Sequence, residues 1–527
     1  MPTRVILLCL LLALAIPSRA ADRAEDAAGQ WWADVTALAD DGMEGRLTGS
    51  PGYDRAAQYL IGRLKQEGLE PAGIKGYLQP VALEQQVVDQ DASHALLAAA
   101  DGASTALKVG EQILITAGGG PRPAHIDAPL VFIGYGLHLP KQGHDDFAGL
   151  DLKGKIAVVI GGGPADLSGA LKSNARFERN AELGKLGALG IITLTTPKQT
   201  EILWERQKLL VRGPGMYLAD PKLRDSDKPF FTATFDPAQS EMLFKGSGHS
   251  FSELAALADD SRPVPGFALA FRLKAEITAA RTKLSSPNIA ARLEGSDPKL
   301  KSEYVAISAH LDHLGIGAAV KGDKIYNGAM DDASGVATVL DIAHRLKTGP
   351  APRRSILFLF FTAEEKGMLG SSYYARHPTV DKTSIVADLN FDMPLPLWPL
   401  KTVYAPGQEE SSLGDDARAV AASQGLQMVP DPLPDRNVFI RTDQYSFVRE
   451  GVPALVFKFG FAKGTPQFDI EHDWRANRYH APSDDLSQPL LKDEAVKLDD
   501  FVAVIARRVA DADSRPAWLP GSIFRKD

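Results

Sequence analysis

Acidic and imidazole side chains end several apolar runs in the second half of the chain. The run "SILFLFFTAEE" ends on Glu364 and Glu365, "EYVAISAHLDH" reaches His310, and "SIVADLNFDM" reaches Asp392. Adjacent carboxylates beside a core are costly unless they are neutralised, paired or bound to a metal. Because the runs predict strands, these endings make a metal site the first hypothesis.

Two more candidate groups lie in predicted loops. "YNGAMDDASG" places Asp331 in a glycine-containing turn just before a predicted helix, and "RYHAPSDD" places His480 in a loop. Ligands of open parallel sheets bind at the carboxyl ends of the strands. One histidine or acid after a strand is usually a plain surface residue, whereas five at the same edge favour a shared site.

The residue types fit a pair of zinc ions. Such a site needs a carboxylate shared by ions about 3.5–4 Å apart, with histidine or carboxylate ligands on each ion. A short carboxylate in a tight turn, such as Asp331, suits the bridge. Asp312 suits a partner that orients the His310 ring. One of the adjacent glutamates would bind metal while the other takes a proton from water. The predicted ligands are His310, Asp331, Glu365, Asp392 and His480.

The elements that position these residues can be read from the sequence pattern. From about residue 285 onward, short apolar strands alternate with amphipathic helices, which predicts an α/β fold with a mostly parallel sheet sandwiched by helices. The stretches "GGGPRPA" and "SRPVPG" are rich in proline and glycine and mark candidate boundaries. We therefore predict a main domain of residues 25–117 and 275–520, and a small β-rich inserted domain of residues 118–270.

The composition excludes several classes of protein. The 527 residues, 44% of them hydrophobic, can bury a large core and fill two domains. The net charge of −8 argues against a nucleic-acid partner, which requires a basic surface.

Residues 1–20, "MPTRVILLCLLLALAIPSRA", are typical of an export signal. Arg4 precedes an apolar stretch over residues 5–16, and a small-x-small cleavage site ends at Ala20. The apolar stretch is too short to span a bilayer, so we expect no membrane span after signal removal. Removal would also take away Cys9, the single cysteine, and leave no thiol for catalysis or zinc binding. We expect an exported protein, periplasmic or extracellular.

The motif set "AHLDH", "NGAMDDASG", "TAEEKGMLGS", "LNFDM" and "YHAPSDDL" resembles the M28 family of co-catalytic zinc peptidases. The resemblance covers residues 285–510 and extends to the N-terminal "MEGRLTGSPGYDRAAQYLIGRLKQEGLEPAG". The middle block, with "DDFAGLDLKGKIAVVIGG", resembles a protease-associated (PA) domain. Met330 departs from the pattern, because many relatives have Asn or Asp before the bridging aspartate.

The resemblance implies a zinc-exopeptidase-like fold and two zinc ions held by the five predicted ligands, with Asp331 bridging. It implies that Glu364 is the general base, that Asp312 orients His310, and that the Asp331–Asp332 peptide is cis. His313 is expected to take no part. The implied function is that of an exported zinc metallopeptidase, an exopeptidase acting on peptides and most readily an aminopeptidase.

Alternatives remain open. A carboxypeptidase or dipeptidase could use the same ligands, and a noncatalytic peptide-binding relative could share the scaffold, although every ligand position is filled. M20-type peptidases generally place a lid domain between the glutamate pair and the last histidine, and the gap from Glu365 to His480 is too short for one. Glutaminyl cyclases use a single zinc ion, and the full ligand set favours two.

Overall fold

Two large sheets organise the chain. The computed structural model describes residues 16–224, 228–436 and 438–525, and within them each of these sheets has eight strands. Residues 1–15, most of the predicted export signal, lie outside the described residues. The helices are α1 (Ile16–Leu38), α2 (Pro51–Gln66), α3 (Gly169–Lys185), α4 (Trp204–Leu210), α5 (Phe251–Asp259), α6 (Ser334–Thr348), α7 (Leu369–Arg376), α8 (Leu413–Ser423), α9 (Gln444–Arg449), α10 (Pro466–Asn477) and α11 (Lys492–Asp511). The strands are β1 (Glu70–Pro71), β2 (Leu78–Val88), β3 (His94–Ala99), β4 (Ser104–Leu107), β5 (Ile113–Ile115), β6 (His125–Ile133), β7 (His138–Leu139), β8 (His144–Asp145), β9 (Ile156–Ile160), β10 (Gly190–Leu194), β11 (Gly215–Leu218), β12 (Phe231–Phe235), β13 (Gly266–Glu276), β14 (Ala279–Leu293), β15 (Tyr304–His310), β16 (Gly315–Val320), β17 (Asp323–Tyr326), β18 (Ser355–Phe361), β19 (Ile385–Asn390), β20 (Thr402–Tyr404), β21 (Gln427–Met428), β22 (Ala454–Val456) and β23 (Lys458–Phe459).

The first sheet has a parallel part and an antiparallel part. Its strand order is β11-β2-β14-β18-β15-β19-β22, and β1 pairs with β14. Strands β18, β15, β19 and β22 run parallel, whereas β11, β2 and β14 form antiparallel pairs. The parallel strands are buried, which explains near-continuous apolar sequences such as "SILFLFF". The predicted α/β class is confirmed, and three of the predicted ligands, His310, Glu365 and Asp392, lie at or just beyond the ends of strands in the parallel part.

Helices cover both faces of the first sheet. On one face, α1, α6 and α11 pack together over side chains such as Phe358 and Phe360 of β18. On the other face, α7 and α9 place Tyr374 and Phe447 against Leu359. Each such large apolar side chain, when fully buried, contributes about 1.5–3 kcal/mol relative to an exposed one. Successive residues of β18 therefore fill two cores, as strand alternation requires.

The second sheet has its own core. Its order is β4-β3-β13-β6-β9-β10-β12-β5, with β6, β9, β10 and β12 parallel. Buried residues of α3 and α5 belong to its apolar clusters. We call residues 94–276 without β11 the inserted unit. In the described part of the chain, no helix is both long and apolar enough to cross a bilayer.

The inserted unit begins earlier than the sequence predicted. The sequence pattern predicts residues 94–117 in the main domain, but β3, β4 and β5 pair within the second sheet. The apparent linker "GGGPRPA" is a fixed loop of that unit, because the buried Arg122 donates to Thr116 O and Phe230 O, each at 2.6 Å. Conversely, β11 leaves the inserted unit and pairs with β2 in the first sheet.

Candidate metal centre

The carboxyl ends of three adjacent parallel strands meet at one edge of the first sheet. β15 ends at His310, β18 is followed closely by Glu364 and Glu365, and β19 is followed by Asp392. Neighbouring parallel strands end at the same edge, so these four side chains come together although they are far apart in sequence.

The turn of residues 329–333, immediately before α6, brings Asp331 to the same edge. Its backbone is not helical at Asp331 (φ −110°, ψ 89°), and the Asp331–Asp332 peptide is cis, as expected. Buried Asp484 holds the turn, because its carboxylate accepts from the backbone N–H of Met330 at 2.9 Å and of Asp331 at 3.1 Å. These bonds fix the position of Asp331.

Two groups of donor atoms share Asp331. In the first group, the donor atoms of His310, Asp331 and Asp392 lie within 4.8 Å of one another, and His310 Nε2 is 3.1 Å from Asp331 Oδ1. On the other side, His480 Nε2 lies 3.3 Å from both Asp331 Oδ2 and Glu365 Oε2. The structure thus brings all five predicted ligands together. Asp331 turns one oxygen to each side, which is the geometry that a bridging carboxylate needs.

His313, expected to take no part, lies inside the site. It is fully buried, with Nδ1 2.7 Å from Glu365 Oε1 and 3.9 Å from Asp331 Oδ2. Donor atoms of His313, Asp331 and Glu365 also lie within 4.8 Å of one another. Its backbone N–H donates to Arg46 O at 3.2 Å. The sequence signal for His313 is its place in the strand-end motif "AHLDH", three residues after His310.

Asp312 has a different contact from the one predicted. The ring of His310 is oriented through Nδ1 by the backbone carbonyl of Asp312 at 3.0 Å, rather than by its carboxylate. That carboxylate instead accepts from the Glu364 backbone N–H at 3.0 Å and from Thr48 Oγ1 at 3.0 Å. The reason is geometric: the chain turns after β15, so the Asp312 side chain points towards the loop after β18. Asp312 therefore positions Glu364 as well as His310.

Glu364 lies beside the two groups of donor atoms but belongs to neither group. Its Oε2 lies 4.0 Å from His310 Nε2. It lines a cavity of about 230 Å³ with Asp331, Glu365, Asp392 and other residues. Burial raises the pKa of Glu364 well above its ordinary value, and the charge of Asp392 acts in the same direction. Glu364 therefore presents its carboxyl group to this cavity, next to the donor atoms of Asp331 and Asp392.

The site carries an excess of negative charge. Burial lowers the pKa of His310, but the carboxylates of Glu364, Asp331 and Asp332 outweigh it and hold that pKa well above its ordinary value. Burial raises the pKa of Asp331, but His310, His313 and His480 outweigh it and hold that pKa well below its ordinary value. Imidazoles pulled towards the protonated form indicate a position where a cation is stabilised.

The donor set fits zinc. Zinc takes imidazole nitrogen and carboxylate oxygen as ligands. Among the described residues, buried His310 Nε2, Glu365 Oε1 and Asp392 Oδ1 make no hydrogen bond of good geometry. Buried polar atoms without such partners are uncommon and call for an explanation such as a bound ion. Four carboxylates, those of Asp331, Glu364, Glu365 and Asp392, would balance two divalent cations.

Two residues of the N-terminal motif "MEGRLTGS" form hydrogen bonds with the backbone of the segments that carry the site. Buried Arg46 donates from Nε to Leu311 O at 2.8 Å, and from its other nitrogens to Asn327 O at 2.6 Å and Gly328 O at 3.0 Å. It thereby joins the end of β15 to the turn that carries Asp331. Thr48 joins the loop after β18 to the same framework, because its Oγ1 accepts from the Ala363 N–H at 3.1 Å.

Two spaces open from the metal centre. The cavity of about 230 Å³ continues past Met368, Met393, Ile440 and Arg441. A cleft of about 580 Å³ also reaches Glu365 and His480 but runs between the inserted unit and the first sheet's loops. The cleft is lined largely by apolar side chains, among them Leu114, Leu209, Leu210, Val211, Leu314 and Ile316.

Residues 288–506, about two-fifths of the chain, match the sequence profile of peptidase family M28. The chain is 36% identical over 107 residues to a probable leucine aminopeptidase 2 of Aspergillus oryzae, covering 20% of this chain and 19% of that relative. It is 28% identical over 192 residues to a probable lipoprotein aminopeptidase of Mycobacterium tuberculosis, covering 34% of this chain and 35% of that relative. The chain thus matches these curated relatives over about a fifth to a third of their length.

Among solved structures, the aminopeptidase from Aneurinibacillus sp. strain AM-1 has a similar fold. The two structures align with a TM-score of 0.52 over 94% of this chain and 95% of that chain, at 20% sequence identity. The likeness covers the inserted unit as well as the first sheet, and at this identity it establishes the fold.

Proposed function

Because residues 288–506 match the sequence profile of peptidase family M28, we propose that this chain is a co-catalytic dinuclear zinc exopeptidase of that family, most readily an aminopeptidase. The observation that carries the proposal is the carboxylate of Asp331, which faces two donor groups with different oxygens. His310 and Asp392 would complete the ligands of one ion, and Glu365 and His480 those of the other.

The residues of the chain have separate roles in this proposal. Zinc held by them would lower the pKa of a water molecule and polarise the scissile carbonyl. Glu364 would accept the proton of that water and return it to the leaving amine. Its position suits this role, because the Glu364 carboxylate lines the small cavity together with Asp331, Glu365 and Asp392. Asp312 keeps Glu364 in place through its backbone N–H.

The two spaces beside the site support exopeptidase action. The cavity of about 230 Å³ is small and can accept the end of a peptide. The larger cleft, which reaches the same residues Glu365 and His480, offers apolar surface to the rest of the peptide. We therefore propose that the terminal residue enters the cavity while the remaining chain follows the cleft.

One observation favours a second candidate, a carboxypeptidase or dipeptidase. Arg441 lines the small cavity, and about 44% of its side chain is exposed. A guanidinium there could pair with the carboxylate of a peptide terminus. Glu201 already accepts from Arg441 Nη1 at 3.2 Å, so part of that charge is neutralised, and the aminopeptidase remains the first proposal.

Defined peptides test both candidates. One peptide is used free, N-acetylated and C-amidated, and its products are followed by mass spectrometry. The protein is stripped of metal with a chelator and restored with one or two equivalents of zinc. We expect no activity without metal, recovery with zinc, stepwise release from the N-terminus, and no release from the acetylated peptide.

The other outcomes separate the alternatives. Release from the C-terminus that amidation blocks would replace the aminopeptidase with the carboxypeptidase. Cleavage in the middle of the peptide, or full activity of the metal-free protein, would contradict the exopeptidase proposal itself.

The proposal includes two further features, the export of the protein and the identity of the inserted unit. Export to the periplasm or the medium rests on the signal-like residues 1–20. The assignment of the inserted unit as a protease-associated domain rests on the motif of residues 145–162.

A further inference from the structure

His480 lies on a short, strained loop after α10. Helix α10 ends at Asn477, and three residues later His480 has a left-handed backbone conformation with φ of 53°. This conformation is unfavourable for a residue with a Cβ and persists only where its surroundings impose it. Contacts that hold the loop therefore decide where the His480 ring lies.

Arg206 of the inserted unit holds this loop by its backbone. It lies on α4, and its guanidinium donates to Tyr479 O at 2.8 Å and Ala476 O at 2.5 Å, with Arg475 O at 3.5 Å. The last carbonyls of a helix have no partner within the helix, and a cation near them is also favoured by the helix dipole. Arg206 thus caps α10 and fixes the residue that immediately precedes His480.

Glu201 of the inserted unit holds the side chains around the same loop. It lies between Arg441 at 3.2 Å, Arg475 at 3.7 Å and Arg436 at 3.8 Å. Two of these arginines contact Tyr479: Arg475 stacks 4.8 Å from the ring centroid, and Arg441 Nη2 donates to the hydroxyl at 3.2 Å. Only 17% of the Glu201 side chain is exposed, so the pairs are screened little by solvent.

These contacts reach His480 directly. The rings of Tyr479 and His480 lie 3.9 Å apart between centroids, so fixing Tyr479 restricts the imidazole beside it. The His480 Nε2 is in turn 3.3 Å from Asp331 and from Glu365. A continuous set of contacts therefore runs from the inserted unit to the second donor group and does not pass through the first.

We infer that Glu201 and Arg206 are positioning residues for the second metal ion, and that the inserted unit is part of the scaffold of that ion's site. The inference rests on the proposed function, since it assumes two divalent ions with His480 on the second. Residues that orient metal ligands typically change metal affinity by about 10- to 100-fold when they are replaced. The effect should fall mainly on the second ion, because Arg206 and the arginines around Glu201 bind the backbone, ring and hydroxyl of Tyr479, the residue that precedes His480.

Two variants and a matched control test the inference. Arg206→Met removes the donors to the α10 carbonyls, and Glu201→Gln keeps the shape of Glu201 while removing its charge. Arg272→Met is the control, because Arg272 also belongs to the inserted unit but pairs with Asp127 in solvent, with 46% of its side chain exposed. Zinc is titrated into metal-free full-length protein against a chromogenic chelator, and cobalt(II) absorption reports the ligand geometry of each equivalent.

We expect Arg206→Met and Glu201→Gln to bind the first zinc ion as the wild type does and the second about 10- to 100-fold more weakly. The cobalt spectrum should change for the second equivalent alone. Second-ion affinity within twofold of the Arg272→Met control in both variants would overturn the inference. Equal weakening of both ions in the two variants would also overturn it, because it indicates a general structural role. A wild-type chain that binds a single zinc ion would refute the proposed function before any variant is compared.

Discussion

At the scale of single residues, the adjacent glutamates after β18 have different surroundings. Glu365 contacts His480 at 3.3 Å and His313 at 2.7 Å, and burial raises its pKa less than the charges of these histidines lower it. Glu364 faces the cavity, where burial raises its pKa well above the ordinary value. One carboxylate is thus held as an anion among imidazoles, and the other is left available to a proton.

This difference predicts opposite effects of two substitutions. Glu364→Gln should retain two zinc ions and lose about 100- to 10,000-fold in kcat, because a positioned general base typically contributes that much. Glu365→Ala should lose one zinc ion on dialysis, because a ligand is missing. Elemental analysis and kcat on the same preparations separate the two effects.

Glu409→Gln is the control for these variants, since Glu409 lies on the surface with 73% of its side chain exposed. It should keep both zinc content and kcat. A Glu364→Gln protein with near wild-type kcat would refute the assignment of Glu364 as the general base.

The sequence predicted the five candidate ligands because each is tied to the end of a strand or to a turn, and parallel strands end at one edge. It did not predict His313, Asp484 or the contact of the Asp312 carboxylate with Glu364. Those depend on how loops turn after the strands, which apolar periodicity does not encode. For Asp484, the signal "SDD" was visible, but its bonds to the turn at Asp331 arise from folding of residues far apart in sequence.

At the scale of elements, Arg46 joins segments that would otherwise meet only at the metal centre. It is 1% exposed and donates to Leu38 O, Leu311 O, Asn327 O and Gly328 O. A guanidinium with its donors in a fixed fork suits this task better than a single ammonium. The arginine therefore connects the end of α1, the end of β15 and the turn that precedes α6.

Arg46→Met should destabilise the protein by about 2–4 kcal/mol, because buried carbonyl oxygens would lose their donors. Urea unfolding of the metal-free protein measures this. Arg55→Met is the matched control, because Arg55 forms an ion pair with Glu44 in which both side chains are 42% exposed. Exposed pairs contribute about 0–1 kcal/mol, so the control should change little. Equal effects of the two substitutions would show that Arg46 has no special structural role.

The strands and helices of the first sheet followed from the pattern, since "SILFLFF" and the stripe of α6 are strongly apolar. The pattern did not predict where the inserted unit begins and ends. Proline and glycine at residues 118–124 looked like a linker, whereas buried Arg122 makes that segment an internal loop. Pairing between distant strands, such as β11 with β2, has no local signature.

At the scale of the whole molecule, Glu201 of the inserted unit forms ion pairs with three arginines that lie outside that unit, Arg436, Arg441 and Arg475. Burial raises its pKa, but Arg441, Arg475 and Arg436 outweigh it and lower the pKa to about 2 from an ordinary 4.5. A carboxyl whose pKa is lower in the folded state contributes stability above its unfolded pKa and loses it as pH falls towards the folded pKa.

The wild type should therefore exceed Glu201→Gln in unfolding free energy by about 3 kcal/mol at pH 7, and by roughly half of that at pH 3. Metal-free protein unfolded in urea at several pH values provides the measurement. Glu253→Gln is the control, because 56% of the Glu253 side chain is exposed. The difference in unfolding free energy between this variant and the wild type should not change between pH 7 and pH 3. A gap between wild type and Glu201→Gln that stays constant with pH would rule out the predicted shift.

The pairing of β11 with β2 has a consequence for how the chain can be cut. The backbone passes between the two sheets four times: after β2, before β11, after β11 and after β13. A protease that nicks one of these passages leaves three covalent connections and the paired strands in place. The fragments should remain associated, and no single excision can lift the inserted unit out or transplant it intact into another protein.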